Sequence, residues 1–88
     1  MAERERTPEQ HERLFKASQN PKRRRMIQII GHRGGDGISK EELRKELDDF
    51  SDFDFKFNLD WLIREGFVDE RDGKLYATED GIDLMEAG

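Results

Sequence analysis

Cysteine is absent from the 88 residues, which excludes disulfides, thiolate metal sites and cysteine nucleophiles together. Apolar residues are scarce, at 33% against 42% charged, so the chain can build one small core and reads as a single domain over residues 1–88. No apolar run approaches membrane-spanning length, and the charged segment Met1–Gln10 has no signal-peptide stretch. A cytoplasmic protein without membrane contact is expected. Histidine occurs twice, at His11 and His32; with no cysteine a metal site would need carboxylates as well, and both read as surface residues. Glycine clusters only in His32–Gly37, which follows a helix and lacks the lysine and hydroxyl residue of a phosphate loop. No acid, base and nucleophile are organised together, so neither catalysis, a metal nor a cofactor is expected.

What is present is charge, unevenly placed. The net charge is −5. Residues 20–34 hold Lys22, Arg23, Arg24, Arg25 and Arg33 with no acid, while residues 35–65 hold ten acids against five bases. One end of the molecule is basic and the remainder acidic, and nucleic-acid binding follows local charge density more than the total.

The local signals mark six elements. Thr7-Pro8-Glu9-Gln10 is an N-cap, a first-position proline and a capping-box glutamine, opening a polar helix to about Ser18 that must dock on something. Asn20-Pro21 restarts the chain as a second helix with Met26, Ile27, Ile29 and Ile30 at helical spacing, ended by His32-Arg33-Gly34-Gly35. Ser39 and Glu42 form a second capping box, Ile38 and Leu43 a hydrophobic staple, and Leu43 and Leu47 the buried stripe of a short helix ending near Asp48. Phe50 to Glu65 fits two patterns. Phe53, Phe55, Phe57, Leu59 and Trp61 alternate as in a strand, yet Phe55, Leu59, Leu62 and Ile63 fit a helix. Helix is preferred over Phe53–Glu65 because Gly66 stops it and sixteen residues exceed the usual strand. Asp72-Gly73 predicts a two-residue hairpin between Phe67–Arg71 and Lys74–Ala77, and Thr78 caps a last helix through Ile82 and Met85.

This order predicts a mainly α fold with a small β-hairpin wing, a winged helix-turn-helix. Residues 1–19 would be a helical extension and residues 20–88 the core. Leu14-Phe15-Lys16-Ala17, Asn20-Pro21-Lys22-Arg23 and the isoleucine-rich helix carry a resemblance, continued by Leu59-x-x-Leu62-x-x-Glu65-Gly66-Phe67-Val68 and Gly73-Lys74-Leu75-Tyr76-Ala77-Thr78-Glu79-Asp80-Gly81. Through them the chain resembles the ArsR-like group of microbial winged-helix regulators, with an archaeal source expected. The resemblance implies a homodimer built partly through the first and last helices, with the second motif helix in the major groove of double-stranded DNA. It implies no metal sensing, because the cysteines that serve it in the family have no counterpart here.

The candidate DNA contacts follow from chemistry. Lys22, Arg23, Arg24 and Arg25 are suited to phosphate, with a solvated face paired to the acidic majority as the alternative. Ser51, Lys56 and Asn58 on or before the second motif helix are suited to base edges. Arg71 and Lys74 flank the wing tip, although Asp69, Glu70 and Asp72 largely neutralise them. Between Asp48 and Asp60 five aspartates face one lysine, which repels phosphate. Phe53, Phe57 and Trp61 also fall on the side of this helix opposite Phe55, Leu59 and Leu62. Either the N-terminal helix covers these aromatics through Leu14 and Phe15, or they form a protein interface. Two readings follow: a homodimeric DNA-binding transcriptional regulator, or a winged-helix module that binds protein through its acidic, aromatic helix.

Overall fold

A computed structural model describes residues 8–87, apart from the side chains of Gln10, His11, Arg13 and Ala87. The expected Thr7 cap, the Gln10 half of its box and the His11 side chain therefore lie outside the described residues. Among the described residues there are five α-helices: α1 (Pro8–Ser18), α2 (Pro21–Arg33), α3 (Lys40–Glu46), α4 (Asp52–Arg64) and α5 (Glu79–Ala87). Three strands accompany them, β1 (Ile38–Ser39), β2 (Val68–Arg71) and β3 (Lys74–Ala77). None of the described helices is long and apolar enough to cross a membrane.

The helix starts follow the local chemistry. Asn20 accepts from the backbone N–H of Lys22 and Arg23, and Pro21 fills the first position of α2. At α3 both halves of the Ser39–Glu42 box are made. Ser51 caps α4 by accepting from the Asp54 backbone N–H at 3.0 Å. Thr78 ties the end of the hairpin to α5: its hydroxyl donates to the Gly66 carbonyl at 2.6 Å and accepts from the Gly81 N–H at 3.1 Å.

The hairpin is not alone, as the sequence suggested, but part of a three-stranded antiparallel sheet in the order β1-β3-β2. Ile38 pairs with Leu75 and Ser39 with Lys74. A two-residue strand leaves no periodicity to read, and its residues register locally only as the staple and cap of α3. Between β1 and α2 a single 3-10 turn, Gly34–Asp36, occupies the glycine-rich segment. Asp72 and Gly73 both take positive φ at the hairpin tip, as a type I′ turn requires.

The core lies where α2 meets the sheet, α3, α4 and α5. Met26, Ile27, Ile30, Ile38, Leu43, Leu47, Leu62, Phe67, Leu75 and Leu84 are fully buried there. Polar α1 docks through Ala17, which is buried, and Leu14, which packs against the core. The result is a mainly helical molecule with a small antiparallel sheet, compatible with a winged-helix-like fold in which α3 and α4 form the helix pair and β2–β3 the wing.

Candidate interaction face on helix four

α4 is held against α2 and α3 by side chains from both. Arg44 clamps the α3–α4 connection: its Nη1 donates to the Leu47 carbonyl at 2.8 Å and its Nη2 to the Phe50 carbonyl at 3.0 Å and Asp52 Oδ1 at 2.9 Å. Its guanidinium also lies over the Phe55 ring, 5.3 Å from the centroid. One cation thereby satisfies two carbonyls of a tight turn and orients the helix that follows.

The basic start of α2 is matched to the acids of α4 and the loop before it. Lys22 Nζ donates to Asp54 Oδ2 at 2.6 Å, and Arg25 Nη1 to Asp49 Oδ2 at 2.7 Å. The Lys22 hydrogen bond holds the Asp54 carboxyl below its usual pKa, and the Arg25 hydrogen bond does the same for Asp49, in each case against a smaller desolvation. Arg23 lies over the Trp61 ring, 3.8 Å from the centroid, and donates from Nε to Asn58 Oδ1 at 3.2 Å. Burial, and after it the nearby Arg64, lowers its pKa. Arg24 is half-buried. Lys22 and Arg25 are thus ion-paired while their side chains stay about half exposed.

Asn58 departs from its expected role at a base edge. It is 3% exposed, and its Nδ2 donates to the Asp54 carbonyl at 2.8 Å while its oxygen holds Arg23. Ser51 is exposed, but its hydroxyl caps α4. Lys56 is exposed on the outward side of the helix. At the wing, Arg71 lies over Tyr76 at 4.3 Å with Asp69 3.4 Å from its Nε, and Lys74 reaches the Asp36 carbonyl at 3.3 Å. Both remain exposed, and the structure does not bring them together with the start of α2.

The aromatic stripe divides. Trp61 is half-buried, stacked on Phe67 with centroids 5.8 Å apart. Phe53 and Phe57 stack on each other at 5.4 Å and stay 71% and 49% exposed. Leu14 and Phe15 of α1 do not cover them. Leu14 faces the core and Phe15 is 60% exposed, but Phe15 takes no part in the cleft beside the two rings. That cleft, about 600 Å³, is lined by Lys16, Asn20, Lys22, Arg23, Phe53 and Phe57 among others. Sequence reasoning missed the Arg23–Asn58–Trp61 cluster, although Asn58 already stood on the inward side between Asp54 and Leu62. Among the described residues no three metal-ligating side chains come together.

Compared with models of known protein families, the chain matches none. Among solved structures it is similar to the activation domain of the phage T4 transcription factor MotA. The TM-score is 0.67 at 24% identity, covering 89% of this chain and 86% of that one. The two share a fold. In sequence it is 67% identical over 88 residues to an uncharacterized protein of Archaeoglobus fulgidus, covering all of both chains. It is 61% identical to a second from the same organism, covering all of this chain and 97% of that one. The chain belongs to the family of these two archaeal proteins.

Proposed function

We propose that the chain is a transcription-associated winged helix-turn-helix domain that works through protein contact, using the outward face of α4. The reading rests on one observation: the stacked pair Phe53–Phe57 stands exposed on that face. Two exposed aromatic rings, flanked by Asp52, Lys56 and Asp60 on one side and by Lys16, Lys22 and Arg23 on the other, suit an apolar protein anchor with a rim of mixed charge. The fold shared with an activation domain of a transcription factor supports the transcriptional setting. One domain over residues 1–88, with residues 1–19 as an extension of the core, belongs to the same proposal, as do a cytoplasmic location and the lack of catalysis, metal or cofactor.

A second reading is a homodimeric DNA-binding regulator of ArsR-like kind. It is favoured by the exposed Arg71 and Lys74 of the wing with Lys56 of α4, and by the half-exposed side chains of Lys22 and Arg25. Titrating the full chain against random double-stranded DNA across salt concentrations separates the two. The first reading expects no retarded complex even at low salt. A tight complex that weakens steeply with salt overturns it in favour of the second.

A further inference from the structure

Helix α4 turns Asn58, Leu59 and Leu62 inward and presents Phe53, Lys56, Phe57, Asp60 and Arg64 to solvent. At about 100° per residue, Phe53, Phe57, Asp60 and Arg64 fall within roughly 60° of arc, with Lys56 beside Asp60 on one edge. Lys56 and Asp60 make no ion pair with any other described residue. Asp52 keeps a 99% exposed side chain although Arg44 touches it.

The order of charges along this face is complementary to itself read backwards. In an antiparallel helix pair, each step forward along one helix is a step back along the other. Setting Lys56 opposite the partner's Asp60 therefore also sets Asp60 opposite the partner's Lys56. In the same register Phe57 meets the partner's Phe57 beside the two-fold axis. Phe53 comes next to the partner's Arg64, where a guanidinium on a ring is favourable. Sliding the pair by one turn sets Lys56 against Lys56, or Asp60 against Asp60. In one register Lys56 and Asp60 each meet the opposite charge, and in its neighbours like charges clash at the axis.

We infer that the outward face of α4 docks on the same face of a second copy of this chain, the two helices antiparallel about a two-fold axis. This inference rests on the reading of α4 as a protein-binding face and names its partner. An isologous contact is the commonest way for one surface to satisfy itself. A helix of 13 residues is about 20 Å long, so the contact is smaller than a standard interface and the dimer is weak and concentration-dependent. Pairing also covers the helix that would enter a DNA groove, so dimer and duplex exclude each other.

Sedimentation equilibrium of the full chain, from micromolar to millimolar concentration, tests this. The wild type is expected to pass from monomer to dimer. Lys56→Asp alone and Asp60→Lys alone each place like charges together and are expected to weaken association about tenfold or more. The double variant K56D/D60K restores opposite charges and is expected to recover it. Both substitutions are at exposed positions, and circular dichroism verifies that the three variants stay folded. A wild type that remains monomeric throughout overturns the inference, as do single variants that still dimerise or a double variant that does not recover. A monomer that also leaves duplex DNA unshifted overturns this inference alone. A monomer that binds duplex tightly overturns the reading beneath it as well.

Discussion

Asn58 sits at the junction of two demands. Its amide nitrogen satisfies the Asp54 carbonyl one turn back, and its oxygen fixes the Arg23 guanidinium above Trp61. A buried amide with both ends in use holds α2 to α4, and cutting it leaves a partly desolvated cation short of a partner. Asn58→Ala is expected to lower the free energy of unfolding by about 1–3 kcal/mol in urea denaturation. Asp54 and Asp49 carry the pH dependence. Both are held below their ordinary pKa by Lys22 and Arg25, and Glu42 is lowered chiefly by its hydrogen bond from the Ser39 backbone. Folding therefore binds these carboxylates in ionised form. Their contribution is present at neutral pH and is lost as pH falls below about 4, through the ordinary carboxylate range and on to the lower folded values. In a carboxyl NMR titration, Lys22→Met is expected to move the Asp54 midpoint up toward an ordinary aspartate. An unmoved midpoint would dissociate Lys22 from the effect.

At the scale of elements, the N-caps account for most of what the sequence disclosed. Asn20-Pro21, the Ser39–Glu42 box and the cap that Thr78 gives Gly81 act within four residues of themselves, so their chemistry is readable before the chain folds, whereas the bond from Thr78 to Gly66 is not local. The Asp72-Gly73 turn is local in the same way. Strand β1 and the inward side of Asn58 are not local, because each takes its meaning from a partner dozens of residues away, Leu75 in one case and Arg23 in the other. The charge run Lys22–Arg25 was legible as a feature, but its pairing with Asp49 and Asp54 depends on how α2 crosses α4. The stripe of Phe53 and Phe57 is legible as unusual, but whether Leu14 and Phe15 reach it depends on how α1 docks, which no local pattern gives. Helix α5 shows how closely such packing is drawn. A Cβ on Gly81 would run into the Phe67 carbonyl oxygen and come within 3.1 Å of Ile27 Cδ1. Backbone cannot yield as a side-chain tip does. Gly81→Ala is expected to destabilise the fold by about 1–3 kcal/mol, read as a lowered midpoint in thermal or urea unfolding.

For the whole molecule, the balance of free and paired charge decides what it can bind. Cross-element ion pairs join Lys22 to Asp54, Arg25 to Asp49, Arg33 to Glu46, Lys40 to Glu70 and Arg44 to Asp52. Each is exposed enough to contribute little stability alone. Among the described residues, the exposed expected DNA-contact cations outside these pairs are Lys56, Arg71 and Lys74. If duplex DNA is bound through those three, the salt dependence is shallow, with a log–log slope of about −2 to −3. A markedly steeper slope would show that phosphates displace Asp49 and Asp54 from the start of α2.

The single tryptophan of the chain lies one helical turn beyond Phe57, with Arg23 above its ring and Phe67 stacked against it. Its emission is therefore an intrinsic spectroscopic reporter for the meeting point of α2, α4 and the base of the wing. Whatever settles on the outward face of α4, protein or nucleic acid, arrives beside this indole. Occupancy and folding can thus be followed optically on the unlabelled chain, and Arg23→Met, which removes the cation from the ring, supplies the reference spectrum.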